Sequence, residues 1–183
     1  MEPLIKKAQK GDTQAFEELV KKYDSRVLSI AYQIAGNQQD AEDIYQETFI
    51  KVFRGIDSFR SDSSFYTWLY RIAVNCSLSY CKKKKRNTHV PLDNGENDFF
   101  WKAVDSGLGP EGQITNKELR RKIEEGVDKL PPMQKAVFVL KYFHGQKIKE
   151  ISWITDCAEG TVKNYLFRAR ETVKQDISSY IRN

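Results

Sequence analysis

Apolar residues recur along most of the chain at steps of three and four, and no useful stretch alternates apolar with polar. Phe16, Leu19, Val20, Tyr23, Val27, Ile30, Ala31 and Ile34 form one stripe, closed by Gly36-Asn37. Ala41, Ile44, Tyr45, Thr48 and Val52 form a second, closed by Gly55. Phe65, Trp68, Leu69, Ile72, Ala73 and Cys76 form a third. Further on, Leu119, Ile123, Val127 and Leu130 precede Pro131-Pro132, and Val137, Leu140, Lys141 and Phe143 run to Gly145. Periods of this kind predict helices only, so the expected fold is all-α.

The sharpest local pattern spans residues 147–174. Ile148, Ile151 and Thr155 share a face of a short helix. Asp156-Cys157-Ala158-Glu159 breaks it, and Gly160-Thr161 opens a longer helix with Val162, Leu166, Ala169, Val173 and Ile177 inward. Val137, Leu140 and Trp153 are placed to complete that small core. This is a helix-turn-helix, whose second helix fits the DNA major groove with its N-terminal residues at base edges. The outer face carries Lys163, Asn164, Phe167, Arg168 and Glu171. Arg168 suits a guanine edge and Asn164 an adenine edge, while Lys163 suits a phosphate. The plainer reading is a solvated amphipathic face, but an apolar Phe167 between cations favours contact.

Charge separates the chain into three parts. Residues 1–86 carry a net +4, residues 87–113 a net −4 and residues 114–183 a net +5, for +5 over 183 residues. Two basic segments around an acidic one suggest two modules that face nucleic acid. The expected organisation is two small helical domains, 1–88 and 114–183, joined by a flexible linker at 89–113. Pro91, Gly95, Gly107, Gly109, Pro110 and Gly112 punctuate that linker. Its Phe99-Phe100-Trp101 patch either packs on a domain or docks into a partner.

Within the first module, a small polar loop feeds a helix dense in aromatic rings between residues 59 and 75. Tyr66, Tyr70, Arg71 and Asn75 do not fit its apolar stripe, and rings and guanidinium planes suit unstacked bases. The loop Phe59, Arg60, Ser61, Asp62, Ser63, Ser64 and Phe65 is polar enough to hydrogen-bond a base turned out of its stack. The run Lys82-Lys83-Lys84-Lys85-Arg86 would draw phosphates, or simply end a solvated helix. Upstream, Asp40, Asp43 and Glu47 share a helix face beside Gln46 and Phe49. Three carboxylates on one straight helix are a poor metal site; Asp40 also suits an N-cap, and the stripe suits docking to a basic partner helix.

Composition excludes several classes. Three cysteines, Cys76, Cys81 and Cys157, and two histidines, His89 and His144, make neither a disulfide framework nor a zinc site. No nucleophile-base pair or Gly-rich phosphate loop is present, so neither an enzyme nor a cofactor is expected. No signal peptide or membrane-spanning run appears, which predicts a cytoplasmic protein with no direct membrane insertion.

The segments Asp40-Ala41-Glu42-Asp43-Ile44-Tyr45-Gln46-Glu47-Thr48-Phe49, Phe65-Tyr66-Thr67-Trp68-Leu69-Tyr70-Arg71-Ile72-Ala73-Val74-Asn75 and Gly160-Thr161-Val162-Lys163-Asn164-Tyr165-Leu166-Phe167-Arg168-Ala169-Arg170-Glu171 resemble the extracytoplasmic-function sigma factors of the sigma-70 family. Asp57 to Asn75 looks especially like the sigma E type. The resemblance implies a promoter-recognition subunit of RNA polymerase. Asp40, Asp43, Gln46, Glu47 and Phe49 would hold the core polymerase. Phe59 to Phe65, with Tyr70, Arg71 and Asn75, would take the single-stranded −10 element. Lys141, Lys163, Asn164, Phe167 and Arg168 would read the duplex −35 element. It further implies control in an envelope-stress response by an anti-sigma factor, usually membrane-associated. Asn164-Tyr165, Cys157-Ala158-Glu159 and Ser152-Trp153 depart from the family's common residues, which bears on −35 base preference. Two rivals stay open on the sequence: a metal-dependent nuclease built on the acidic helix, and a helix-turn-helix repressor that binds duplex as a dimer.

Overall fold

Helix caps mark the element boundaries. In a computed structural model describing residues 2–60, 63–87 and 117–181, Asp12 accepts a hydrogen bond from the Ala15 amide at 3.0 Å and starts the long helix Thr13–Ala35. Gly36 ends that helix at φ 85°, a left-handed conformation that glycine adopts without strain, and its amide donates to the Tyr32 carbonyl at 2.8 Å. Asn37 immediately caps the next helix by accepting from the Asp40 amide at 2.9 Å. The chain divides into two compact units, Met1–His89 and Val90–Asn183. All regular structure among the described residues is helical.

The first unit comprises α1 (Glu2–Gln9), α2 (Thr13–Ala35), α3 (Gln38–Gly55), a short 3-10 turn (Ile56–Ser58) and α4 (Phe65–Asn87). α2, α3 and α4 each pack on the other two, and α1 lies on α2 and on the 3-10 turn. Val27, Ile30, Ala31, Ala41, Ile44, Leu69 and Ala73 fill the centre. Thr48 and Ser77 are also buried, and each hydroxyl donates to a carbonyl four residues back in its own helix. Apolar spacing does not predict the first helix, because only Ile5 and Ala8 of it are buried.

The second unit comprises α5 (Lys117–Asp128), α6 (Pro132–Tyr142), α7 (Ile148–Thr155) and α8 (Glu159–Ile181). α8 is its spine, since α5, α6 and α7 all pack against it. Val162, Leu166, Ala169 and Val173 face inward as their spacing requires, whereas Ile177 is half-buried. Val137 and Leu140 are sealed in the core; Trp153 is half-buried, and Ile154 takes the fully buried place instead. α5 crosses α8 closely at Gly126, where a Cβ would stand 3.1 Å from the Val173 Cα. Lys135, only 6% exposed, pairs with Asp128 at 2.7 Å and ties α6 to the end of α5 across Pro131-Pro132.

Candidate nucleic-acid interface

The helix-turn-helix is built from a tight, internally bonded corner. α7 ends at Asp156 with φ 55°, and the Asp156 amide donates to the Ser152 carbonyl. The Ser152 hydroxyl in turn donates to the Cys157 carbonyl at 2.6 Å, so the turn is fastened to the helix before it. α8 then begins at Glu159, one residue earlier than its glycine suggests. With Val162 and Leu166 buried, Lys163, Asn164, Phe167 and Arg168 emerge on the opposite side. All four are exposed, and Phe167 is 63% exposed, a high value for a phenylalanine. Lys141, on α6, is half-buried.

In the first unit, Ser64 starts α4. Its hydroxyl oxygen accepts from the Thr67 amide at 3.1 Å and lies 2.7 Å from the Thr67 hydroxyl. Phe59 and Phe65, expected to face a DNA strand, are 9% and 5% exposed. They meet edge to face at 5.5 Å and both pack on Trp68, so they support the loop from below. Tyr70 requires a correction: it is fully buried, not presented to bases. α4 is covered by α2 and α3 from two sides, so its buried arc is wider than one stripe. The Tyr66 hydroxyl donates to that of Tyr70, and burial, then Tyr66, hold the Tyr70 phenol above its ordinary range. Tyr66 stays partly open, with the Arg26 guanidinium 5.2 Å from its ring centre.

Beside this loop lies a cleft of about 330 Å³ lined by Glu2, Ile5, Tyr23, Phe59, Ser63, Ser64, Phe65 and Tyr66. Asn75 is exposed and Arg71 half-buried, one turn apart on α4; Arg60 is exposed. Ser61 and Asp62, and the Phe99-Phe100-Trp101 patch, lie outside the described residues. Sequence patterning gives no sign of Arg26, nor of the Glu2 and Ile5 wall, because those residues enter only through tertiary packing.

The acidic face of α3 is also rearranged. Asp40 is 7% exposed and is not the N-cap; that residue is Asn37. Its carboxylate accepts from Lys84 at 2.6 Å, from Asn37 at 2.7 Å and from Tyr80 at 2.9 Å. Burial opposes its charge, but Lys84, Asn37 and Tyr80 outweigh burial and hold the carboxyl below the usual range. Asp40 is thus a strut between α3 and α4, and Lys84 of the basic run serves the same strut. Asp43, Gln46 and Glu47 remain exposed, Phe49 is half-buried against Tyr45, and two unanticipated apolar residues, Ile50 and Phe53, stand 46% and 57% exposed nearby on α3. Among the described residues no cluster of three His, Cys, Asp or Glu side chains is arranged for a metal ion. The three cysteines carry free thiols, with Cys76 buried.

The four-helix first unit carries the aromatic cleft, and the second unit carries the helix-turn-helix. Family descriptions match both: Sigma-70 region 2 over residues 19–87 and Sigma-70, region 4 over residues 120–173. The chain is 37% identical over 182 residues to the ECF RNA polymerase sigma-E factor of Escherichia coli (strain K12), covering 98% of this chain and 95% of that one. It is 32% identical over 185 residues to the RNA polymerase sigma-H factor of Pseudomonas aeruginosa, covering 98% and 94%. The chain belongs to the extracytoplasmic-function (ECF) sigma factors of the sigma-70 family. Among solved structures, the fold is similar to CnrH in complex with the cytosolic domain of CnrY, with a TM-score of 0.67 at 21% identity, covering 96% of each chain. It is similar also to RpoE of Bartonella quintana in complex with the anti-sigma factor NepR, with a TM-score of 0.69 at 20% identity, covering 89% of this chain and 96% of that one.

Proposed function

We propose that this sigma factor directs core RNA polymerase to promoters by dividing the work between its two units. α8 reads the duplex −35 element through Lys163, Asn164, Phe167 and Arg168, with Lys141 on a flanking phosphate. The first unit holds the melted −10 strand at the cleft that Phe59, Ser63, Ser64 and Tyr66 help to line, with Arg71 and Asn75 further along α4. Asp43, Gln46, Glu47 and Phe49 dock the core enzyme. Opening follows from differential binding: unstacked bases exist only in melted DNA, so a site that takes them shifts the equilibrium toward that state. The protein acts by binding and carries out no chemistry of its own.

The observation that carries this reading is Phe167, an aromatic ring 63% exposed between Asn164 and Arg168 on the outer face of a helix-turn-helix. Apolar contact with thymine methyl groups gives such a ring a partner that water does not. No helix of the described residues is long and apolar enough to cross a membrane, and we place the chain in the cytoplasm with its template. We assign its control to an anti-sigma factor, membrane-associated and responsive to envelope stress; the Bartonella quintana neighbour was solved with an anti-sigma factor, NepR.

Run-off transcription with core polymerase and a promoter library tests the reading. Purified chain plus core should yield defined transcripts that neither component yields alone. Duplex binding without core, as a dimer on palindromic sites, would instead favour a repressor.

A further inference from the structure

α1 carries none of the motifs that mark the two DNA-facing surfaces, yet its last residue makes two of the longest-range bonds in the first unit. The Gln9 side-chain amide donates to the Ile56 carbonyl at 3.0 Å and to the Phe59 carbonyl at 2.9 Å, partners 47 and 50 residues away. A carboxamide nitrogen carries two hydrogens, and here each meets one backbone acceptor. Those carbonyls bracket the 3-10 turn, through which the chain leaves α3 and enters the loop. Phe59 is itself a wall of the cleft, its ring buried against Phe65 and Trp68. Two more residues of α1, Glu2 and Ile5, line the same cleft. The helix therefore both shapes the cleft and holds the backbone of its rim.

We propose that Gln9 is a positioning residue for promoter opening: its carboxamide fixes the backbone at Ile56 and Phe59 in the shape that lets the cleft accept an unstacked base. The proposal rests on the strand-trapping role of the first unit. Gln9 itself touches no DNA. Its effect is preorganisation, since a rim ordered beforehand need not be ordered when the base arrives. A purely structural Gln9 would lower thermal stability and leave base preference intact; a positioning Gln9 changes preference in the folded protein.

The test uses the full-length chain assembled with core polymerase. Affinity is measured for a forked DNA with a single-stranded −10 segment, cognate or with one −10 base replaced, and thermal melts are recorded alongside. Gln9→Met keeps the length and removes both donors; it should bind core normally but lose about tenfold in preference for the cognate fork, in line with one or two lost hydrogen bonds. Gln9→Glu, also without a donor at neutral pH, gives a second reading if Gln9→Met melts early. Gln9→Lys restores a donor and should recover most of the preference. Wild-type preference in folded Gln9→Met or Gln9→Glu overturns the proposal, as does a Gln9→Lys variant as impaired as Gln9→Met. If the wild-type holoenzyme shows no cognate preference, the strand-trapping role fails and the Gln9 proposal falls with it.

Discussion

Arg168 and Tyr70 illustrate two opposite fates for a polar side chain on a helix. Arg168 stands exposed on α8, so Arg168→Ala should change stability by no more than about 0.5 kcal/mol. If it pairs with a base, the substitution should cost about 1–3 kcal/mol of promoter binding, roughly 5-fold to 150-fold, and relax preference at one −35 position. Promoter-binding titrations over −35 variants measure this; unchanged affinity would remove Arg168 from the readout. Tyr70 is the reverse case. It is sealed beneath Tyr66, so Tyr70→Ala should destabilise the first unit by about 3–5 kcal/mol in denaturant melts. A Tyr70→Ala protein as stable as wild type would refute the burial. The apolar stripe of α4 is legible in the sequence, but a stripe assumes one buried side. Tyr70 follows Leu69 directly and is buried because both α2 and α3 cover α4.

At the scale of elements, α3 and α4 are joined by Asp40. Its folded pKa lies below its unfolded value, so the stabilisation is complete above about pH 4, the ordinary carboxylate range, and is lost as pH falls through the depressed folded value. Wild type should therefore lose stability over that acidic window more steeply than Asp40→Asn does. With Lys84 partly exposed, the strut is worth about 1 kcal/mol at neutral pH, and equal pH slopes in the two proteins would contradict it. In the second unit, Gly126→Ala would set a Cβ 3.1 Å from the Val173 Cα and 3.2 Å from the Asp176 carboxylate. Backbone cannot yield as a side-chain tip can, so the crowding should cost about 1–3 kcal/mol, more than the roughly 1 kcal/mol that alanine gains over glycine within a helix. A melting temperature at or above wild type would show that the crossing is looser than described.

Several of these elements are legible in the amino-acid pattern alone, for identifiable reasons. α2 shows itself through a long stripe ending in Gly36-Asn37, and both residues act as caps. The helix-turn-helix follows from Val162, Leu166, Ala169 and Val173, all of which turn inward. α1 is not legible, because Ile5 and Ala8 are too few to set a period, and the helix is held by packing on α2. The same gap hides Gln9, whose partners become visible only with residues 56 and 59 folded back upon it. Asp40 sits on the acidic face by spacing, yet Lys84 and Tyr80 arrive from a helix that spacing cannot place.

For the whole molecule, the proposed function divides the labour between duplex reading in the second unit and strand capture in the first. A net +5 chain that neutralises phosphates should show promoter binding that weakens steeply as salt rises. The most direct measurement is permanganate reactivity of −10 thymines in complexes with core polymerase, at limiting and at saturating protein. Thymines should be reactive with the wild-type chain. Arg168→Ala should show a defect that saturation repairs, and complexes with Asn75→Ala should stay closed at any concentration. Equal reactivity in wild type and Asn75→Ala, or closed complexes with the wild-type chain on every promoter, would contradict this division of labour.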